Sequence, residues 1–490
     1  WAQFKLAWYE DSMTSFFELL DRKLAGVEIG EGEERLASMK RAERELIEDT
    51  FRVLSISFSY MEGADSIDTY MGQGVPPHYA HVIYGNLGDL YLEKERYQDA
   101  ALTYEAFVRR DPDHPEAPGL QMQVIEAYKV GGFPSKVLEG KKDFVDRYGM
   151  DGSFWVRNPR EQNEDVAEHL KQNLNDLAQY YHAEAQKNGA KSDYVVAADL
   201  YRKYMAYFPG EEDTANTNFL LAEILFESED YAAAMAEYER TSYAYPEHEK
   251  SAEAGYAAIL AYREHEALLE GEARAEWHQA YLDSGLKFAD TYPEHPESGA
   301  VLTTVAEDLF QSEQFDLAIA VGQTVVAKQP PVKPELARTS WTVIAHSQFD
   351  LENFAEAESA YYSLRTVTPA DDAGAHQGIK DRVAASIYRQ GEQARDAGDL
   401  ETAVTHFRRL GQAVPDSDIR ATAEYDAAAA LIALEAWDRS ATVLEEFRSA
   451  YPDSEFADDV TQKLAVSYLE SGRLDRAASE FERIAQAPSS

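Results

Sequence analysis

An all-α solenoid is the fold class that this 490-residue sequence predicts, and three observations predict it. Nine segments share one spaced pattern, and a proline or its equivalent closes nearly all of them: Pro112, Pro209, Pro246, Pro293, Pro330, Pro369, Pro415, Pro452 and Pro488. From Pro209 onward the closures fall 37, 47, 37, 39, 46, 37 and 36 residues apart, near a helix-turn-helix period of about 34 residues with slightly long connectors. Helix formers dominate, and no sustained strand-type alternation appears. Hydrophobic residues make up 44% of the chain, ample for a core, yet the length exceeds what one compact core holds; growth in one dimension resolves that.

The elements follow in order. Residues 1–75 fit the pattern poorly and read as an N-terminal helical cap or degenerate repeat. Leu6-Ala7, Tyr9, Phe16 and Leu19 look like one repeat with its inter-helix turn almost missing, hence one continuous helix. A polar Gly/Glu stretch from Gly26 to Glu34 follows, then a long helix from about Glu34 to Tyr60, then a loop bearing Gly72, Gly74, Pro76 and Pro77. Residues 76–150 carry two regular units, 151–172 form a polar irregular insertion with Trp155 and Pro159, and 173–490 carry seven further units. Longer inter-helix turns are expected at Lys187 to Asp193 and around Glu266 to Glu276.

In the clearest unit Tyr84, Leu87-Gly88 and Tyr91 share one helix face, and Ala100, Tyr104 and Phe107 share a face of the next, before Pro112. A second unit has Trp341, Ile344-Ala345, Phe354, Ala357, Tyr361, Leu364 and Pro369 at the same offsets. This order resembles the tetratricopeptide repeat, with Tyr84 in the place of the usual Trp and Phe107 in that of a usual Ala. The resemblance implies a right-handed superhelix. The spacing encodes packing: small residues at Gly88, Ala222, Ala306, Ala345 and Gly391 let paired helices approach while aromatics fill the space beside them. Breakers mark the turns, at Glu-Ser-Glu-Asp before Tyr231, Ala-Gly-Asp before Leu400 and Ser-Gly-Arg before Leu474. Trp341 is expected in the core, so Trp341→Ala should cost roughly 3 to 5 kcal/mol locally.

Charge is the second informative feature. With 89 acidic against 46 basic residues the net charge is −43, which disfavours nucleic acid and anionic membrane surfaces as partners. Such acid serves solubility, or attracts basic partners if it concentrates on one surface. In the family resembled, the first helix of each unit lines a concave groove. With Tyr84 as position four, position nine holds Asp89, Glu126, Glu223, Glu307 and Glu392, and Gln179, His346, Ala429 and Val466 in the other units. Position twelve holds Phe226, Phe310 and Phe349, and position five adds Phe219, Tyr388 and Tyr425. The groove implied is acidic and aromatic, suited to a basic or amphipathic protein segment through charge complementarity and cation-π contacts. The acids speak against the Lys and Asn carboxylate clamp of chaperone-binding members.

The unit ends at Tyr451-Pro452-Asp453-Ser454, Tyr245-Pro246-Glu247-His248 and Tyr292-Pro293-Glu294-His295 resemble repeats of bacterial cell-envelope proteins. That implies an envelope or periplasmic scaffold, with which the absence of Cys is compatible. No signal peptide or membrane-spanning segment is evident. The start at Trp1 inside a helical pattern reads as a mature or truncated fragment. The last helix, presenting Phe481 and Ile484, lacks a polar cap, so either more chain follows or that end docks on something.

Catalytic patterns are missing. His265-Glu266-Ala267-Leu268-Leu269 lacks the second His of a zinc-protease helix, and Gly140-Lys141-Lys142 lacks the rest of a phosphate loop. Gly30-Glu31-Gly32 and Gly72-Gln73-Gly74 lack the third Gly of a dinucleotide fingerprint. His114, His248 and His295 each sit two residues after a closing proline, but helices pack 8 to 10 Å apart, on the order of several metal-ligand bonds, so they cannot share an ion. They read as helix-start residues. The chain is therefore expected to be a scaffold without cofactor or enzymatic activity, or, alternatively, a structural subunit joined to others through its solenoid ends.

Overall fold

A computed structural model describes residues 1–25, 39–72, 77–211 and 213–486, and the expectations for Gly26 to Glu34, Gly74, Pro76 and Pro488 lie outside them. Among the described residues the chain is all-α, with twenty-five α-helices and no strand. It divides into two compact units, Trp1–His265 and Glu266–Ser490.

In the first unit the helices are α1 (Ala2–Lys5), α2 (Tyr9–Lys23), α3 (Arg41–Ser59), α4 (Ala64–Met71), α5 (Ala80–Glu93), α6 (Tyr97–Arg110), α7 (Ala117–Val130) and α8 (Pro134–Tyr148). They continue with α9 (Ser153–Arg157), α10 (Glu164–Asn188), α11 (Lys191–Tyr207), α12 (Thr214–Glu227), α13 (Tyr231–Tyr243) and α14 (Ser251–Glu266). The second unit holds α15 (Gly271–Thr291), α16 (Ser298–Gln311), α17 (Phe315–Val326), α18 (Pro334–Asp350), α19 (Phe354–Val367) and α20 (Ala373–Asp396). It closes with α21 (Leu400–Ala413), α22 (Arg420–Ala433), α23 (Trp437–Ala450), α24 (Ala457–Glu470) and α25 (Leu474–Gln486). Sequence neighbours pack together along each unit, which is how a solenoid buries a core that no single helix pair can close.

The repeat signature is a core signature. Tyr84, Leu87, Ala100, Tyr104 and Phe107 are fully enclosed, and so, within a few per cent, are Ile344, Ala345, Phe354, Ala357, Tyr361 and Leu364. A Cβ built on Gly88 would stand 2.3 Å from Cε1 of Tyr104, and one on Gly391 would stand 2.5 Å from Cε1 of Phe407. In both repeats the missing side chain is the space that an aromatic ring of the second helix fills. Trp341 departs from expectation: its ring is half-buried at the edge of the core, so Trp341→Ala should cost about 2 kcal/mol, less than for an enclosed ring.

One turn recurs eight times. Each first helix ends, three residues follow, and the second helix starts, with the middle turn residue left-handed: Glu95, Gly132, Glu229, Glu313, Glu352, Gly398, Glu435 and Gly472. The next residue's N–H bonds back into the last helical turn, as from Arg96 to Tyr91 at 2.9 Å and Asp230 to Leu225 at 2.9 Å, satisfying carbonyls the helix end would orphan. All three breaker turns read from the sequence have this form.

Several local expectations are corrected. The N-terminal segment is two helices, broken at Leu6–Trp8, where Ala7 has φ 62°. Helix α4 falls between Tyr60 and Gly72, where the sequence reading placed no element. The turns expected to be long at Lys187–Asp193 and Glu266–Glu276 are short, because α10 and α15 take up the extra residues as helix and reach 25 and 21 residues. Within the polar insertion α9 buries Phe154 fully, and Trp155 donates to the Tyr148 carbonyl at 2.8 Å.

Candidate protein-binding clefts

The expected groove residues fall in both units and do different things. On α5, Asp89 accepts the Tyr104 hydroxyl of α6 at 2.6 Å, and burial together with Asp89 pushes that phenol far above its usual range. On α12, Glu223 accepts the Tyr238 hydroxyl of α13 in the same way. Phe219 and Phe226 flank that pair, with ring centroids 5.8 and 6.4 Å from Tyr238. Phe219 is enclosed, so it supports the face rather than offering a ring to it. Glu126 stands exposed on α7, paired with Lys129 at 3.1 Å.

Asp89 lines a cleft of about 670 Å³ between α3 and α5. Ile56, Val82 and Leu90 give the accessible part of its apolar floor, over the enclosed Ile47 and Phe51; Glu48, Asn86, Asp89 and Glu93 stand around it with Arg52. The sequence reading found only Asp89 of this set. Glu48 and Phe51 escaped because α3 lies in the segment that fits the repeat poorly, although its apolar residues recur at helical spacing.

In the second unit, Glu307 and Phe310 of α16 face Arg338, Thr339, Thr342 and His346 of α18 and Ile379 of α20 across a cleft of about 420 Å³. Burial, reinforced by Asp308, raises the Glu307 carboxyl above its ordinary range. Burial, then Arg382, lowers His346. Phe349 packs on Phe354 at 5.1 Å, with Arg382 5.7 Å above its ring. Elsewhere in this unit Tyr388 donates to Asp426 at 2.6 Å, and Tyr425 donates to Asp459 while stacking on Phe456 at 4.4 Å. Glu392 is held by Arg389 at 2.9 Å and Arg395 at 3.4 Å. Of the acids and aromatics expected in one groove, Asp89, Glu307 and Phe310 line the two clefts, Asp89, Glu223, Tyr388 and Tyr425 enter tyrosine–carboxylate hydrogen bonds between helices, and Glu126 and Glu392 pair with basic residues of their own helices.

The three histidines after closing prolines share one role. Nδ1 of His114, His248 and His295 accepts the backbone N–H two residues on, from Glu116, Lys250 and Glu297, at 3.1, 3.2 and 3.3 Å. The imidazole thereby satisfies a donor at the start of the next helix.

Family models for "Tetratricopeptide repeat" match residues 86–118 and 385–417. No curated protein sequence matches the chain. Among solved structures, a tetratricopeptide repeat protein from Parabacteroides merdae shows 14% identity over 60% of this chain and 99% of its own, with a TM-score of 0.26. BtubC from P. vanneervenii shows 12% over 43% and 90%, TM-score 0.23, and the APC/C hetero-tetramer Cut9-Hcn1 shows 13% over 88% and 79%, TM-score 0.19. TM-scores this low leave the assignment to the family models and to the helix geometry, which agree: the matched segments coincide with the repeats built on Gly88 and Gly391, and the same three-residue turn joins the helix pairs around them. This chain carries tetratricopeptide repeats, matched at residues 86–118 and 385–417.

Proposed function

We propose that the chain is a non-enzymatic scaffold that holds segments of partner proteins against the first helices of its repeats, within the bacterial cell envelope. One observation carries the binding role: two clefts open on first-helix faces, and the residues expected to meet a partner, Asp89 in one and Glu307 with Phe310 in the other, line them. The envelope location is supported by the Tyr-Pro-Asp/Glu unit ends, and among the described residues no helix is long and apolar enough to cross a membrane. The excess of acid favours basic or amphipathic segments.

A photo-crosslinking residue placed at Leu90 or Phe310, and at Tyr362 on a second helix as control, tests this in envelope extract. Discrete crosslinked partners at the cleft positions and none at Tyr362 are expected. Equal labelling at all three positions would overturn the reading. The alternative, a structural subunit joined through its ends, would show as mass rising with concentration.

A further inference from the structure

We infer that the cleft between α3 and α5 is a docking site for a cationic amphipathic helix about three turns long. The inference deepens the scaffold reading and rests on it. On α5 the lining residues Val82, Asn86, Asp89, Leu90 and Glu93 recur at helical spacing over three turns, on the order of 16 Å of helix. On α3 they recur from Ile47 to Ile56. Two stripes with an apolar trough between them are what the apolar face of a helix needs on both flanks.

Charge chooses the occupant. Three carboxylates, Glu48, Asp89 and Glu93, line the trough against one guanidinium, Arg52; Arg52 stands 3.7 Å from Asp49 and Glu48 3.7 Å from Arg44 outside the trough, so among the described residues Asp89 and Glu93 are the carboxylates there without a cation. An acidic or neutral segment would leave those carboxylates facing each other at reduced hydration, whereas lysine or arginine flanking an apolar stripe compensates them. Tyr104 holds the Asp89 carboxylate at 2.6 Å, so that group has little rotamer freedom left to lose on binding. Among the described residues the Glu93 and Asn86 side chains have no hydrogen-bond partner, which leaves one anion and one amide for the incoming helix. The second unit's cleft does not share this bias, since Arg338 and His346 stand in it with Glu307.

The test uses the full chain and a labelled, helix-stapled Leu/Lys peptide of about three to four turns, with two controls of equal length: the same peptide with Glu for Lys, and a scrambled Leu/Lys peptide of equal charge but no apolar face. Fluorescence anisotropy should show saturable binding of the first alone, weakened about tenfold by Glu48→Gln/Glu93→Gln and by Leu90→Ser, and weakened by salt. Unchanged circular dichroism in these variants keeps the comparison fair, because all three side chains are at least partly exposed. Equal binding of the scrambled peptide, or loss of binding on Glu307→Gln rather than at this cleft, would overturn the inference. Either result with crosslinking at Phe310 intact leaves the scaffold reading standing; loss of crosslinking at Leu90 and Phe310 together removes that reading too.

Discussion

The repeats built on Gly88 and on Gly391 place an acid at the same position, and only in the first is it held by a phenol. Asp89 is met by Tyr104, fifteen residues on in the second helix, and Glu223 is met by Tyr238 at the same distance along the chain. In the second unit the residue fifteen after Glu307 is Gly322, and fifteen after Glu392 it is Phe407, so neither acid finds a hydroxyl there. Glu307 instead stands beside Asp308, its carboxyl raised by partial burial and by that neighbour, and Glu392 turns to two arginines of its own helix. Asp89 thus keeps a fixed negative charge in an apolar cleft, while Glu392, at the same repeat position, is balanced by cations of its own helix. An acidic residue at a repeat position becomes surface potential only according to what the facing helix offers it.

The largest expected effect tests the packing that both repeats share. Gly88→Ala forces a methyl against the Tyr104 ring, and overpacking of this kind should cost about 2 to 3 kcal/mol. Gly85, on the same helix, meets nothing closer than Leu120 Cδ2 at 3.9 Å, and Gly85→Ala should be neutral or stabilise by about 0.5 to 1 kcal/mol. Because an array need not unfold in one step, hydrogen exchange in α5 and α6 is the proper readout, and equal protection in the two variants would show that the ring does not fill the glycine's space.

The next effect belongs to the first unit. His81 lies beside His114, with ring centroids 4.9 Å apart, and its Nδ1 is buried without a partner. Burial, then His114, lowers His81 to about 4. A folded pKa below the unfolded one means that the unfolded chain binds more protons between those values. The contribution is therefore complete above about pH 6.5 and is lost as pH falls toward 4, reaching at most about 2 kcal/mol at pH 5. Acidification also relieves repulsion among 89 acids, so the measurement is the pH 7 to pH 5 stability difference of wild type against His81→Leu. Wild type should lose more; identical differences would remove His81 as the cause.

How much of this was legible varies with the kind of signal. Gly88, Tyr104 and Phe107 could be placed in a core from spacing alone, because three-dimensional neighbours on a helix are fixed by its period. The breaker turns were legible for the same local reason, although glutamate in five of eight left-handed positions carries no sequence flag, since glycine is the residue expected there. Turn lengths near Lys187 and Glu266 were misjudged because polar residues lengthen a helix as readily as a loop. The cleft between α3 and α5 was half visible: Asp89 sits in a recognisable repeat, but Glu48 sits on a helix that no repeat pattern describes. The acids were read by position and not by partner, and the partner at fifteen residues was present in the sequence all along.

That partner gives the two smallest effects and the sharpest test of the comparison. Tyr104→Phe removes the hydroxyl from Asp89, which stays exposed to water, so the loss should be about 1 kcal/mol rather than the larger cost of an orphaned buried acid. The reverse experiment is Phe407→Tyr. Phe407 fills the space over Gly391 as Tyr104 does over Gly88, and Glu392 occupies the position of Asp89. A hydroxyl there should reach Glu392 and compete with Arg389 and Arg395 for it, stabilising the α20–α21 pair by no more than about 0.5 kcal/mol. The phenol itself reports more clearly than the stability does: bound to a carboxylate under the neighbouring helix, it should titrate above the ordinary tyrosine range in a spectrophotometric titration of variant against parent. An additional tyrosine titrating near 10, with lower protection in α20, would mean that the ring over Gly391 does not sit as the ring over Gly88 does, and that the two repeats differ in backbone approach rather than in one hydroxyl.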